Sequence, residues 1–185
     1  MLQLNLLRGE RVRLTAVTPT DLPTLTKWWA DADFLRLYDS VPAYPKTEAQ
    51  LAKRIEEGQK GDATFLFGIR PLTGDDLIGL LEMDGVMWAH GTTFVSIAIG
   101  DEENRGKGYG REAMQLALNF AFHELNLHRV CLTVFSYNPA AIKLYDSLGF
   151  THEGTYREHL RRDGQRHDML LYGLLRHEWP IKADR

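Results

Sequence analysis

Apolar residues recur along this chain with two different spacings, and each switch between them marks a change of element. Val12 and Leu14 alternate with Arg11, Arg13 and Thr15, so Arg11 to Ala16 reads as a short strand. The spacing then lengthens. Leu22, Leu25, Trp28 and Trp29 fall on one face of a helix that Thr20 or Asp21 can cap and whose first turn accepts Pro23. Phe34 to Pro45 carries two prolines and two tyrosines without a clear period, which predicts a loop lining something. A second helix is expected from about Thr47 to Glu57. Thr47 and Gln50 form a capping box there, Leu51 and Ile55 lie one turn apart, and Gly58 stops it.

Three strands follow, Ala63 to Arg70, Leu77 to Met83 and Thr92 to Ile99, the first two joined at Thr73-Gly74-Asp75-Asp76, as in an antiparallel meander. From Gly110 to Leu125 the helical period returns through Ala113, Met114, Ala117, Phe120, Ala121 and Leu125. Val130 to Phe135 is another apolar strand. Asn138 and Pro139 open a short helix that Gly149 closes, and two last strands, about Phe150 to Leu160 and Arg166 to Leu175, meet at Asp163-Gly164. This order predicts an α/β fold: a mixed, mostly antiparallel central sheet of about seven strands with helices on both faces.

Composition narrows the setting. The 185 residues are 44% hydrophobic and 25% charged, with a net charge of -3, the balance of one soluble domain without the basic excess that tracks nucleic acid. A single cysteine, Cys131, excludes an internal disulfide and favours a reducing, cytoplasmic compartment. Met1 to Glu10 meets charge too early for a signal peptide, and no stretch reaches the roughly 20 apolar residues of a spanning helix, so no membrane partner is expected.

Candidate chemistry sits after the strand ending at Ile99. Gly100, Asp101, Glu102 and Glu103 lead into Arg105-Gly106-Lys107-Gly108-Tyr109-Gly110 just before a helix. Alternate glycines let amides converge on one anion at a helix amino end. Two other phosphate loops are excluded by spelling: Lys107 is followed by Gly108 rather than by Ser or Thr, and only Tyr109 precedes the third glycine where the dinucleotide fingerprint needs two residues. A plain flexible turn is the competing reading.

Arg105-x-x-Gly108-x-Gly110 resembles the Arg/Gln-x-x-Gly-x-Gly/Ala signature of the GNAT acetyltransferases. The run from Asn138 through Ala141 and Tyr145 to Gly149 and Phe150 resembles that superfamily's Asn-x-x-Ala-x-x-x-Tyr-x-x-x-Gly-Phe segment. The likeness covers about Leu7 to Trp179, one domain, and the closing hairpin is similar to the branch containing ribosomal-protein N-terminal acetyltransferases, with spermidine acetyltransferases nearby. The resemblance implies acetyl-CoA as co-substrate. Ile97, Ala98 and Ile99 would face the pantetheine arm, with backbone groups of Ile97 and Ile99 pairing with it. Amides from Arg105 to Gly110, running into Arg111, would hold the pyrophosphate. Asn138 would contact the pantetheine or stabilise the splay between neighbouring strands, Ala141 would lie in the same cofactor site, and Tyr145 would protonate the departing thiolate. Spacing alone leaves Tyr145 equally readable as a packed helical tyrosine beside Leu144 and Leu148.

The general base is less legible, because Ser96 and Thr133 stand where several superfamily members carry an acid. Glu82 acting through water is the candidate, with Asp84 beside it on one strand face, where mutual repulsion would raise a carboxyl pKa. The seven histidines make no metal-ligand spacing, so no metal is expected; Cys131 reads as buried, and Arg157, Arg161, Arg162 and Arg166 as a solvated face or a dock for an acidic peptide. The expected reaction is direct attack of a primary amine on the thioester in a ternary complex. A protein N-terminus is the first acceptor, a polyamine or other small amine the second, and homodimerisation an analogy. The rivals are a non-catalytic acyl-CoA-binding module and a nucleotide-binding protein.

Overall fold

The computed structural model describes residues 5–58 and 60–179, so the first four residues of the amino-terminal segment lie outside the described residues. Seven strands form one sheet: β1 Val12–Ala16, β2 Phe65–Pro71, β3 Gly79–Met87, β4 Thr92–Ile99, β5 Arg129–Phe135, β6 Thr151–Arg162 and β7 Gln165–Leu175, in the order β1-β2-β3-β4-β5-β7-β6. Every neighbouring pair is antiparallel except β4 with β5. The helices are α1 Leu22–Trp29, α2 Ala32–Tyr38, α3 Glu48–Gly58, α4 Tyr109–Asn119 and α5 Pro139–Ser147.

Strand alternation divides the apolar residues between two helix layers. Leu81, Met83 and Val95 point to the face covered by α4 and α5, where Met114, Leu118 and Phe122 are fully buried. Leu80, next in sequence to Leu81, points to the other face and packs with Leu25, Trp29 and Leu51 under α1 to α3. Each large side chain buried in this way contributes about 1.5–3 kcal/mol.

Three expectations need correction. Residues 34–45 are not all loop, since Ala32–Tyr38 is helical, capped by the Asp31 carboxylate, which accepts from the amides of Asp33 at 2.9 Å and Phe34 at 3.3 Å. Seven residues are too few to display a period, although Phe34 and Tyr38, one turn apart, stack at 5.5 Å. The helix expected through Leu125 is α-helical only to Asn119 and widens to a π turn over Phe120–Glu124, where Phe120 packs edge-on against Phe65 and Phe67. Asp21 does stand at the cap position of α1, but its carboxylate makes no bond to that helix: it accepts from the Thr18 amide at 2.8 Å across a preceding 3-10 turn, Pro19–Asp21, whose cap is Thr18, and pairs, buried, with Arg70 at 2.7 Å.

One irregularity positions the site. β4 and β5 pair only through Thr92–Arg129, Thr93–Val130 and Phe94–Cys131, after which the two strands diverge. The carboxyl ends of both strands therefore border an open cleft, and the chain leaving each strand starts a helix at its mouth: α4 after β4, α5 after β5.

Candidate active site

The glycine loop is shaped by two left-handed residues, Gly106 at φ +71° and Gly108 at φ +84°, conformations that side chains with a Cβ resist. Gly108 is the residue before α4, and Arg11 lies where a side chain on it would project. Among the described residues, the amides of Gly106 through Arg111 have no acceptor, whereas the Arg105 amide is already bonded to the Glu102 carbonyl at 3.0 Å. The converging donors thus begin one residue later than the sequence suggested. They face outward at a helix amino end, where the helix dipole adds positive potential.

Arg105 serves the loop through its side chain, which donates to the carbonyls of Ile99 at 3.2 Å and Gly100 at 2.7 Å. Glu112 accepts from the amides of Glu10 and Arg11, and Arg11 donates to the Lys107 carbonyl at 3.2 Å, so β1 braces the loop from behind. Arg111 is tied to Ser147 on α5 at 2.6 Å.

The cleft itself offers backbone. The Gly100 amide donates to Ile78 across β3, and alternation along an antiparallel pair then turns Val95, Ile97 and Ile99 towards the side β5 has left. Opposite, Asn138 caps α5 by accepting from the Ala141 amide at 3.2 Å. Tyr145 is buried against Phe150 and Tyr172, yet its hydroxyl has no hydrogen-bond partner among the described residues and borders the cleft. Burial pushes its phenol up to about 12, so the proton stays on at neutral pH.

Two cavities meet at Tyr145. The first, about 420 Å³, runs along Ile97, Ala98 and Ile99 to Gly106, Gly108 and Gly110 and on to Arg111, Asn138 and Ala141. Its mostly apolar wall along β4 leads to the unengaged amides of the glycine loop. Of the residues expected from sequence to hold the cofactor, Lys107 alone lies outside its lining. The second, about 330 Å³, is walled by Glu82, Asp84, Ser96 and Thr133 and roofed by Tyr38, Asp39 and Ser40, with Arg54 reaching in from α3. Glu82 stands directly opposite Ser96. Its carboxyl is raised above the ordinary range chiefly by burial, with Asp84 and Asp39 adding to the rise and Arg54 opposing it, so repulsion from Asp84 is not the leading cause expected from sequence. Asp84 is raised too, again by burial.

Sequence reasoning missed the roof. Arg162 is no free surface charge: its guanidinium donates to the carbonyls of Asp39, Ser40 and Val41 at 3.0, 3.2 and 3.1 Å. Arg36 pairs with Asp163, and the Tyr137 hydroxyl donates to the Arg36 carbonyl at 2.8 Å, so the β6–β7 hairpin straps α2 over the cavities. Cys131 is half-buried rather than buried, lies against Arg129 Nε at 3.0 Å and lines neither cavity. Among the described residues no group of histidine, cysteine or acidic side chains could hold a metal, and no helix is long and apolar enough to cross a membrane.

Residues 11–151 match the acetyltransferase (GNAT) domain family. This chain belongs to the GNAT acetyltransferase family. It is similar to an uncharacterized, SPbeta prophage-derived N-acetyltransferase of Bacillus subtilis, YokL, at 28% identity over 94% of both chains. It is also similar to the [ribosomal protein uS5]-alanine N-acetyltransferase of Escherichia coli, at 25% identity over 94% of this chain and 92% of that one. Its fold superposes on the Vibrio cholerae spermidine N-acetyltransferase solved with CoA and spermine, with a TM-score of 0.83 and 26% identity over 92% of this chain and 98% of the other. The GNAT chain is therefore an acetyl-CoA-dependent N-acetyltransferase, which sets aside the nucleotide-binding and non-catalytic readings.

Proposed function

We propose that this enzyme acetylates a primary amine of an aliphatic oligoamine. The observation that carries this reading is the charge of the second cavity: among the described residues, Asp39, Glu82 and Asp84 border it against the single cation Arg54. A molecule with several ammonium groups along a thin chain complements that wall. The strap from Arg162 and Arg36 closes the roof side, which suits a slim acceptor better than a folded protein's terminus. A likeness to a spermidine acetyltransferase over most of the chain supports the same choice, moving the weight from the protein N-terminus expected first to the small amine expected second.

Acetyl-CoA supplies the thioester carbonyl to be attacked. Glu82, through water, takes the proton of the acceptor ammonium, and its burial-raised carboxyl suits that task near neutrality. Cleft-facing amides of β4 donate to the carbonyl oxygen as it gains charge. The new nitrogen–carbon bond forms and the carbon–sulfur bond breaks as Tyr145 passes its proton to the sulfur; the second proton shed by the nitrogen passes through water to restore Tyr145, and Glu82 releases the first to solvent.

Thiol release with acetyl-CoA should be measured across spermidine, a monoamine, aminoglycosides and peptides with free N-termini. Turnover of spermidine with kcat/KM at least roughly tenfold above the peptides is expected. Preference for a peptide would overturn the acceptor assignment and return the enzyme to the uS5-like reading.

A further inference from the structure

Among the described residues, Arg54 is the one cation bordering the acceptor cavity, and its contacts there are loose. It stands on α3, whose Leu51 and Ile55 turn into the core, while its guanidinium passes the Trp29 ring, 5.9 Å from the centroid, and enters the cavity. Nη2 lies 3.6 Å from Glu82 Oε2 and 3.5 Å from the Tyr38 hydroxyl. A guanidinium offers five donors and pairs best with a carboxylate through two parallel bonds near 2.8 Å or so. Here the contacts are at the outer limit of hydrogen bonding and the side chain is 42% exposed, against 18% for Glu82. The carboxylate is thus held inside while its partner can swing out to solvent.

That asymmetry sets up an exchange. An ammonium entering the cavity finds Glu82 flanked by Asp84 and Asp39, with Arg54, among the described residues, the only positive group facing it and Tyr38 a neutral one. We propose that Arg54 is a resident counter-ion of Glu82 which the acceptor's ammonium displaces, so that this residue sets how tightly a cationic acceptor is held. It is a positioning and specificity residue rather than a catalytic one. Before the acceptor arrives it keeps Glu82 charged and oriented; afterwards Trp29 and Tyr38 offer the displaced guanidinium an aromatic resting place. The inference rests on the oligoamine reading of the same cavity.

Arg54→Gln and Arg54→Lys should be compared with wild type by steady-state kinetics across pH, on spermidine or on whichever amine the acceptor panel shows to be turned over. Failure of the acceptor reading appears in wild type alone, and failure of the Arg54 role appears in the ratio of variant to wild type. Arg54→Gln should lower the acceptor KM by roughly three- to tenfold, since a competing charge is gone. It should also move the acidic limb of kcat/KM to higher pH, because in the free enzyme the group that opposes the rise of the Glu82 carboxyl has been removed. The limb of kcat, set in the complex from which Arg54 is already displaced, should stay in place. Arg54→Lys keeps the charge and should return both readings towards wild type. In a Glu82→Gln background, Arg54→Gln should no longer lower KM. An equal or higher KM in Arg54→Gln, with the acidic limb of kcat/KM unmoved and thermal stability retained, would overturn the proposal. If Arg54→Gln does not fold, the lysine variant decides: a limb or KM moved as far as roughly tenfold despite the retained charge refutes it.

Discussion

The two cavities that meet at Tyr145 are built from different materials. The side we assign to acyl-CoA is made mostly of backbone, the unengaged amides from Gly106 to Arg111 and the open edge of β4 at Ile97 and Ile99, with the Asn138 side chain capping the helix opposite. The acceptor side is made of side chains drawn from four places, Glu82 and Asp84 on β3, Tyr38 on α2, Arg54 on α3, and Arg162 on the hairpin that holds the roof. A backbone site is fixed by conformation and tolerates many side chains at its neighbours. A side-chain site is retuned by single substitutions, which lets one fold keep its donor while changing its acceptor.

The contrast is tested most severely at the junction. Tyr145→Phe should lower kcat by roughly 10 to 1000 times while leaving acetyl-CoA affinity near wild type, because only a proton donor is lost. As burial holds the phenol at about 12, wild type should show no alkaline limb from this group below roughly pH 10. Turnover of Tyr145→Phe close to wild type would leave the residue as packing against Phe150 and Tyr172.

On the backbone side, Gly108→Val should weaken acetyl-CoA binding by more than roughly tenfold in calorimetric titration. It should also lower thermal stability, since a left-handed φ costs a residue with a Cβ about 1–2 kcal/mol and Arg11 occupies the side-chain space. Gly110→Ala is the control. Its added carbon meets only Ile99 and Ile97 side-chain atoms, at 3.6 and 3.9 Å, so a much smaller loss is expected. Equal losses in both would mean that loop conformation is not what binds the phosphates.

On the side-chain side the expected effect at neutral pH is smaller, and its signature is a pH profile. The Glu82 carboxyl sits above its ordinary value, and a base works only when ionised, so kcat should fall as pH drops through that raised pKa. Glu82→Gln should lower kcat by roughly tenfold at its optimum and abolish the limb. A limb that persists and follows the basicity of the acceptor amine would mean that the free amine is selected from solution.

The same division explains what could be read from the chain alone. The seven strands, the helix openings at Asn138 and Thr47, and the glycine loop are written in contiguous residues, so local physics reaches them. The short helix α2 escaped because seven residues with one buried pair, Phe34 and Leu35, show no period, and its Asp31 cap was overlooked. Arg54, Arg162 and Asp39 were out of reach for another reason. Arg54 meets Glu82 across 28 positions of chain, and Arg162 meets Asp39 across 123, distances over which one sequence carries no local signal. The Arg162 arginine was even misassigned by type, since a cluster of charges on a hairpin is ordinarily solvated.

The divergence of β4 from β5 bears on how this sheet keeps from joining another. Unpaired strand edges invite other chains to add themselves, and proteins usually guard them with charge or by closing the sheet. Here β4 carries an unpaired edge in the middle of the sheet, at Val95, Ile97 and Ile99, walled on one side by β5 and by the α5 it leads into, and roofed by α2. That edge opens into a cleft lined by α2 and α5 rather than at the rim of the sheet. Adhesiveness that would be a hazard at the rim is kept indoors, turned towards whatever the cleft holds.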